Sequence, residues 1–130
     1  MPKFSGKSIS KLNSCDERLQ RVFKEVIKHW DCTILEGIRT KETQDEYFRT
    51  GKSKLQFPNS KHNSSPSKAI DVAPCPIVWE DTSRFYAFAG FVIGIATSMG
   101  ITLRWGGDWD SDRNFKDQTF NDLPHFEIKE

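Results

Sequence analysis

The chain has 130 residues, the length of one ordinary domain, and carries 19 Lys+Arg against 18 Asp+Glu for a formal charge of +1. So even a balance argues against a nucleic-acid or membrane-surface binder, which needs clustered positive charge. With 36% hydrophobic and 12% aromatic residues, the composition also argues against disorder.

In chain order, Met1 to Lys7 holds no apolar stretch of the signal-peptide kind, so synthesis without a secretion signal is expected. Ser14-Cys15-Asp16-Glu17 has the form of a capping box. Behind it Leu19, Val22, Phe23, Val26, Ile27 and Trp30 fall on one helical face, which predicts a helix from about Cys15 to Trp30. Cys32 to Ile38 is β-rich and reads as a strand. Thr40 can cap a second helix that ends before Gly51. Lys52 to Lys68 is polar, broken by Pro58 and Pro66, and reads as loop. Ala69 to Ala73 is a short strand stopped by Pro74 and Pro76.

Phe85 to Leu103 carries no charge and approaches the length of a membrane span. Gly90, Gly94, Thr97, Ser98, Gly100 and Thr102 interrupt it. It therefore reads as a core helix opened by Asp81 or Thr82 and stopped at Gly100, followed by a strand from Ile101 to Trp105. The Gly90-x-x-x-Gly94 pair would mark close packing of another element. Gly106 to Asn121 is an acidic loop with aromatics, and His125 to Ile128 alternates as a last strand. There are too few βαβ units for a parallel sheet, so the expected class is α+β in a single domain over 1–130. Cys15, Cys32 and Cys75 are odd in number and form no C-x-x-C pair; they read as free thiols, not as a disulfide framework or thiolate zinc site.

The chemistry rests on few residues. The histidines are His29, His62 and His125. His29 falls in the last turn of the first predicted helix, where a cation is favoured, and needs no further role. His62 and His125 lie at loop and strand junctions beside acids: Asp71 follows His62 by nine residues, and Asp122 precedes His125 by three. Two imidazoles and a carboxylate make a three-ligand zinc set whose fourth position is left for water, with a pKa falling toward about 7. Asp122 is then the natural base. By spacing alone, surface or core histidines explain these positions better than a metal site does.

Ser60-Lys61-His62, Ala69-Ile70-Asp71 and Asp122-Leu123-Pro124-His125 together resemble the zinc D-Ala-D-Ala carboxypeptidase and L-alanyl-D-glutamate peptidase family, whose pattern is S-x-H, A-x-D and an acid three residues before a final His. The likeness is greatest to its phage endolysin branch, and it extends through Gly37-Ile38-Arg39-Thr40 and Leu103-Arg104-Trp105-Gly106-Gly107-Asp108-Trp109. The resemblance implies a small antiparallel sheet flanked by helices, with zinc held in a cleft by His62, Asp71 and His125. It implies Asp122 as general base and then acid, Arg39 as the cation polarising the scissile carbonyl, and Ser60 in contact with substrate. Trp105 and Trp109 flank Gly106-Gly107 and are expected either to line the substrate cleft or to pack in the core, and Asp108 is expected near substrate or in a solvated acidic loop beside the cleft. Two features depart from the family: the first His and the Asp are nine residues apart instead of seven, the insertion falling in the Ser/Pro loop 63–68, and the base is Asp instead of Glu.

Other motifs fail. Asp108-x-Asp110-x-Asp112 opens like a calcium loop, but Arg113 stands where Gly is needed and Thr119 where Glu is needed, so an EF-hand is rejected and a looser calcium or second-metal site stays open. Thr50-Gly51-Lys52-Ser53 lacks the first glycine of a phosphate loop. Ser65-Pro66-Ser67-Lys68 lacks the companions of a serine enzyme.

The expected activity is hydrolysis of the peptidoglycan stem peptide, most readily between L-Ala and D-Glu. The alternatives are a D-alanyl-D-alanine carboxypeptidase and a non-catalytic wall-binding module of the same fold. As an endolysin, the protein would be a monomer made in the host cytoplasm that acts on the wall in the periplasm. It would then depend on a membrane-permeabilising protein, with no nucleic-acid partner and no membrane insertion.

Overall fold

The computed structural model describes residues 2–113 and 122–130. Within them the chain forms α1 (Gly6–Asn13), α2 (Glu17–Val26), β1 (Cys32–Glu36), α3 (Lys41–Thr50), a 3-10 turn at Lys61–Asn63, β2 (Ala69–Pro74), α4 (Thr82–Ser98), β3 (Leu103–Trp105) and β4 (His125–Ile128). The strands make one antiparallel sheet in the order β1-β2-β4-β3. This is the α+β architecture expected from the sequence.

One face of the sheet is covered by α2 and α4. Leu19, Val22, Phe23 and Val26 of α2 are fully buried, with Phe88 and Val92 of α4 and Phe126 of β4. The rings of Phe23 and Phe88 meet Phe126 edge-on, at 5.7 and 6.3 Å between centroids. Each such side chain contributes about 1.5–3 kcal/mol relative to exposure, so this cluster dominates the hydrophobic stabilisation.

Several boundaries differ from the sequence-based expectation, each for a local reason. The cap of α2 is Asp16, whose carboxylate accepts the Arg18 N–H at 2.8 Å. Ser14 instead closes α1, a helix the sequence reading did not anticipate. The Ser14 hydroxyl donates to the Lys11 carbonyl and accepts the Ile38 N–H. α2 stops at Val26, so His29 lies in the turn beyond it, exposed and 2.9 Å from Glu25. Thr40 caps α3 as expected, and Gly51 ends it in the left-handed region at φ 84°.

α4 is capped by Asp81 and stopped before Gly100, φ 73°. Among the described residues, no helix is long and apolar enough to cross a membrane. The close packing expected at Gly90 and Gly94 is not seen: a Cβ at either would meet no described atom within 4 Å. The helix packs inward through Phe85, Phe88, Ala89, Val92 and Ala96, while the glycines border a cavity of about 560 Å³ with Tyr86, Leu103 and Trp105. β4 does not alternate in burial either. All four of its residues are buried, because it is an inner strand with α2 on one face and charged and aromatic side chains on the other.

Candidate active site

The sheet register brings the sequence-predicted ligands together. Asp71 pairs with His125 across β2 and β4, and the Val72 N–H bonds the Pro124 carbonyl at 2.9 Å. His62 arrives from the 3-10 turn, which Ser60 caps: the Ser60 hydroxyl accepts the His62 N–H while Asn63 accepts the Ser60 N–H. Two further bonds fasten this turn to the segment after β1. The Arg39 N–H donates to the His62 carbonyl at 2.7 Å, and His62 Nδ1 donates to the Gly37 carbonyl at 2.7 Å. The imidazole rings of His62 and His125 lie 5.1 Å apart between centroids.

Donor atoms show whether these residues fit a metal. With its proton committed to Gly37, His62 presents a lone pair at Nε2. That atom is buried with no hydrogen-bond partner among the described residues and faces Asp71 Oδ1 at 3.3 Å. His125 Nε2 is 2.7 Å from Glu127 Oε1, and its Nδ1 faces the same Asp71 oxygen at 3.2 Å. Three possible ligand atoms thus converge within 4.8 Å of one another. Buried acceptors that face one another are costly unless a cation lies between them. Two imidazoles and a carboxylate are a donor set suited to zinc. Burial disfavours charge on Asp71, yet the two imidazoles hold its carboxyl well below the usual range. Burial likewise opposes charge on His125, but Asp71 and Glu127 hold its pKa up at about 9.

Asp122 lies at the edge of this cluster, its Oδ2 3.8 Å from His125 Nδ1. Burial and the neighbouring Asp71 charge push its pKa above the ordinary carboxylate value. A narrow turn places it: the Gly106 N–H donates to His125 O and the Asp122 N–H to Gly106 O, both at 2.8 Å. A Cβ on residue 106 would sit 2.0 Å from the Asp122 carbonyl oxygen, so only glycine allows this approach. Arg39 is buried, its Nε 2.8 Å from Glu36 Oε1 and its Nη1 2.8 Å from Gln44 Oε1, with Tyr47 stacked 4.7 Å away. Its Nη2 stands 3.8 Å from Asp71 Oδ2. Arg39, Ser60, His62, Asp122 and His125 all line one cavity of about 350 Å³.

The phage L-alanyl-D-glutamate peptidase family model matches residues 1–129. The chain belongs to that family. It is similar to the L-alanyl-D-glutamate peptidase of Escherichia phage T5, with 31% identity over 121 residues that cover 89% of this chain and 88% of the relative. Among solved structures, it is similar to the Serratia marcescens L-Ala D-Glu endopeptidase ChiX, with a TM-score of 0.77 and 25% identity, over 98% of this chain and 90% of the other.

Within this member of the family, two expected substrate contacts lie elsewhere. Trp105 is a core residue, 5% exposed, its Nε1 donating to the Leu123 carbonyl at 2.7 Å; the alternation of β3 turns it away from the cavity that holds His62. Trp109 lines that cavity instead, 5.2 Å from the His125 ring. Asp108 is also buried and borders the second cavity, its Oδ2 accepting the Arg113 N–H at 2.9 Å. Asp108, Asp110 and Asp112 do converge, with carboxylate oxygens within 4.8 Å, and Asp108 Oδ1 is buried with no hydrogen-bond partner among the described residues. Thr119, the twelfth position of that loop, lies outside the described residues. Sequence reasoning missed Glu36 and Gln44, which hold Arg39, and Glu127, which holds His125. Glu127 left one signal: a charge flanked by Phe126 and Ile128, two residues from His125 and therefore on its face of the strand.

Proposed function

We propose that the chain is a zinc-dependent peptidoglycan endopeptidase that hydrolyses the stem peptide between L-Ala and D-Glu, acting as a phage endolysin through one catalytic domain over 1–130. The observation that carries this reading is the buried His62 Nε2 lone pair aimed at Asp71 and His125, within a cavity that Asp122 also lines. The names of the phage T5 and Serratia relatives support the choice of bond.

His62, Asp71 and His125 would hold zinc, which would supply a Lewis acid for the scissile carbonyl and make the attacking water more acidic. Asp122 takes the proton from the attacking water. Its raised pKa suits it to return that proton to the leaving amine. Glu36 and Gln44 keep the Arg39 fork from turning, so its charge is held on the cavity wall where the tetrahedral oxyanion would form. Ser60 acts first as the cap that fixes His62, and its place on the cavity wall leaves it in reach of substrate.

The cluster of Asp108, Asp110 and Asp112 offers only oxygen donors, which suits calcium better than zinc. In this reading the protein is a monomer made in the host cytoplasm. It reaches the periplasmic wall with the help of a membrane-permeabilising protein and binds no nucleic acid.

Mass spectrometry of soluble products from purified sacculi, with and without a zinc chelator, tests the proposal. Chelator-sensitive release of peptides with new D-Glu amino termini is the expected result. Loss of single alanines would move the reading to a D-alanyl-D-alanine carboxypeptidase. A zinc-containing protein that binds sacculi and releases nothing would be a wall-binding module.

A further inference from the structure

One buried acid beside the candidate zinc site has no part in the mechanism above. Glu127 is 5% exposed and follows His125 by two residues, so both side chains stand on one face of β4. Its Oε1 accepts the His125 Nε2–H at 2.7 Å. Its Oε2 accepts the Arg104 Nε–H at 3.0 Å across the β3–β4 register and lies 3.4 Å from Lys61 Nζ. A carboxylate this buried persists only where its charge is matched. Here two cations match it on one oxygen, leaving the other committed to the imidazole.

That commitment decides which nitrogen of His125 is a donor. A proton held at Nε2 leaves the lone pair at Nδ1, the atom that faces Asp71 at 3.2 Å. His62 is arranged the opposite way: the Gly37 carbonyl holds its Nδ1 proton and frees Nε2. We propose that Glu127 is a positioning residue that fixes the tautomer and ring orientation of His125 so that Nδ1 faces the metal, with Arg104 and Lys61 holding Glu127 in place. The inference rests on the zinc reading and refines it. The two imidazoles present different nitrogens and differ in strength, since a carboxylate partner makes its ring the more basic donor.

The test uses the full chain loaded with zinc or cobalt(II), comparing wild type, Glu127→Gln and Glu127→Ala. Zinc affinity by chelator competition should fall about 10- to 100-fold in Glu127→Ala. Glu127→Gln, which keeps an acceptor of the same reach, should recover most of it. The cobalt visible bands should shift in Glu127→Ala and return toward wild type in Glu127→Gln. Imidazole nitrogen NMR of zinc-loaded wild type, which needs no variant to fold, should show His125 protonated at Nε2 and His62 at Nδ1. Wild-type affinity and cobalt bands in Glu127→Ala would overturn the proposal, as would equal losses in the two variants or His125 protonated at Nδ1. A wild type that binds no zinc would sink the zinc reading itself, a result none of these resembles.

Discussion

The molecule gathers metal-capable side chains in two places, and the two are built differently. His62, Asp71 and His125 come from sequence-distant elements, two of them paired strands of the sheet. Asp108, Asp110 and Asp112 come from one short loop and alternate along it, and the last two are exposed. The first cluster mixes nitrogen with oxygen, and two of its three residues are buried at the wall of the cavity. The second is all oxygen, and hydration can replace its two exposed members, Asp110 and Asp112, at little cost. Scaffolded, buried sites suit a tightly held catalytic ion; local, wet ones suit an ion that comes and goes.

The largest effect that would break this contrast is at His125. His125→Ala should reduce turnover to background and lower zinc affinity by more than the loss of an outer partner does, read by metal analysis beside peptide release; a variant that cleaves normally refutes the ligand set. Next, Asp122→Ala should keep its zinc yet lose about 10²- to 10⁴-fold in turnover, the scale of a general acid–base group. Loss of the metal along with the activity would mean that Asp122 belongs to the binding site instead. Gly106→Ala should cost about 1–3 kcal/mol in thermal unfolding, because the added methyl meets the Asp122 carbonyl. Its activity should drop further than its stability explains, since the turn carrying Asp122 and His125 must move. The smallest effect should come from Asp110→Asn with Asp112→Asn: zinc content unchanged, and any calcium dependence of activity or melting abolished. A simultaneous loss of zinc would join the two clusters into one site and end the contrast.

Much of this was written locally in the chain. Thr40 announced α3, Gly100 the end of α4, and β4 lies over the residues expected for it, His125–Ile128. His62, Asp71 and His125, which the family resemblance and not the spacing grouped, also stand together in space. Legibility failed where a residue is decided by something far away. α1 is short and polar, and only Ser8 and Leu12 are buried, so its periodicity carried little signal. Ser14 looked like a helix cap because nothing local shows that Ile38 takes its oxygen. Trp105 and Trp109 flank the same glycine pair, and only the pleat of β3 decides which faces the cavity. Glu127 passed as one charge among many until register put it between His125 and Arg104.

The placement of β4 bears on how the protein can fail. It is the last strand in sequence but lies inside the sheet, with β2 on one side and β3 on the other. Sheet closure and the arrival of His125 are therefore one event, and assembly of the centre must wait for residues more than fifty positions from Asp71. A chain clipped or stalled before His125 would lose its central pairing together with one of the three clustered side chains. Incomplete molecules are thus disarmed as well as misfolded, a safeguard for any cell that must make a wall-cutting protein before it is needed.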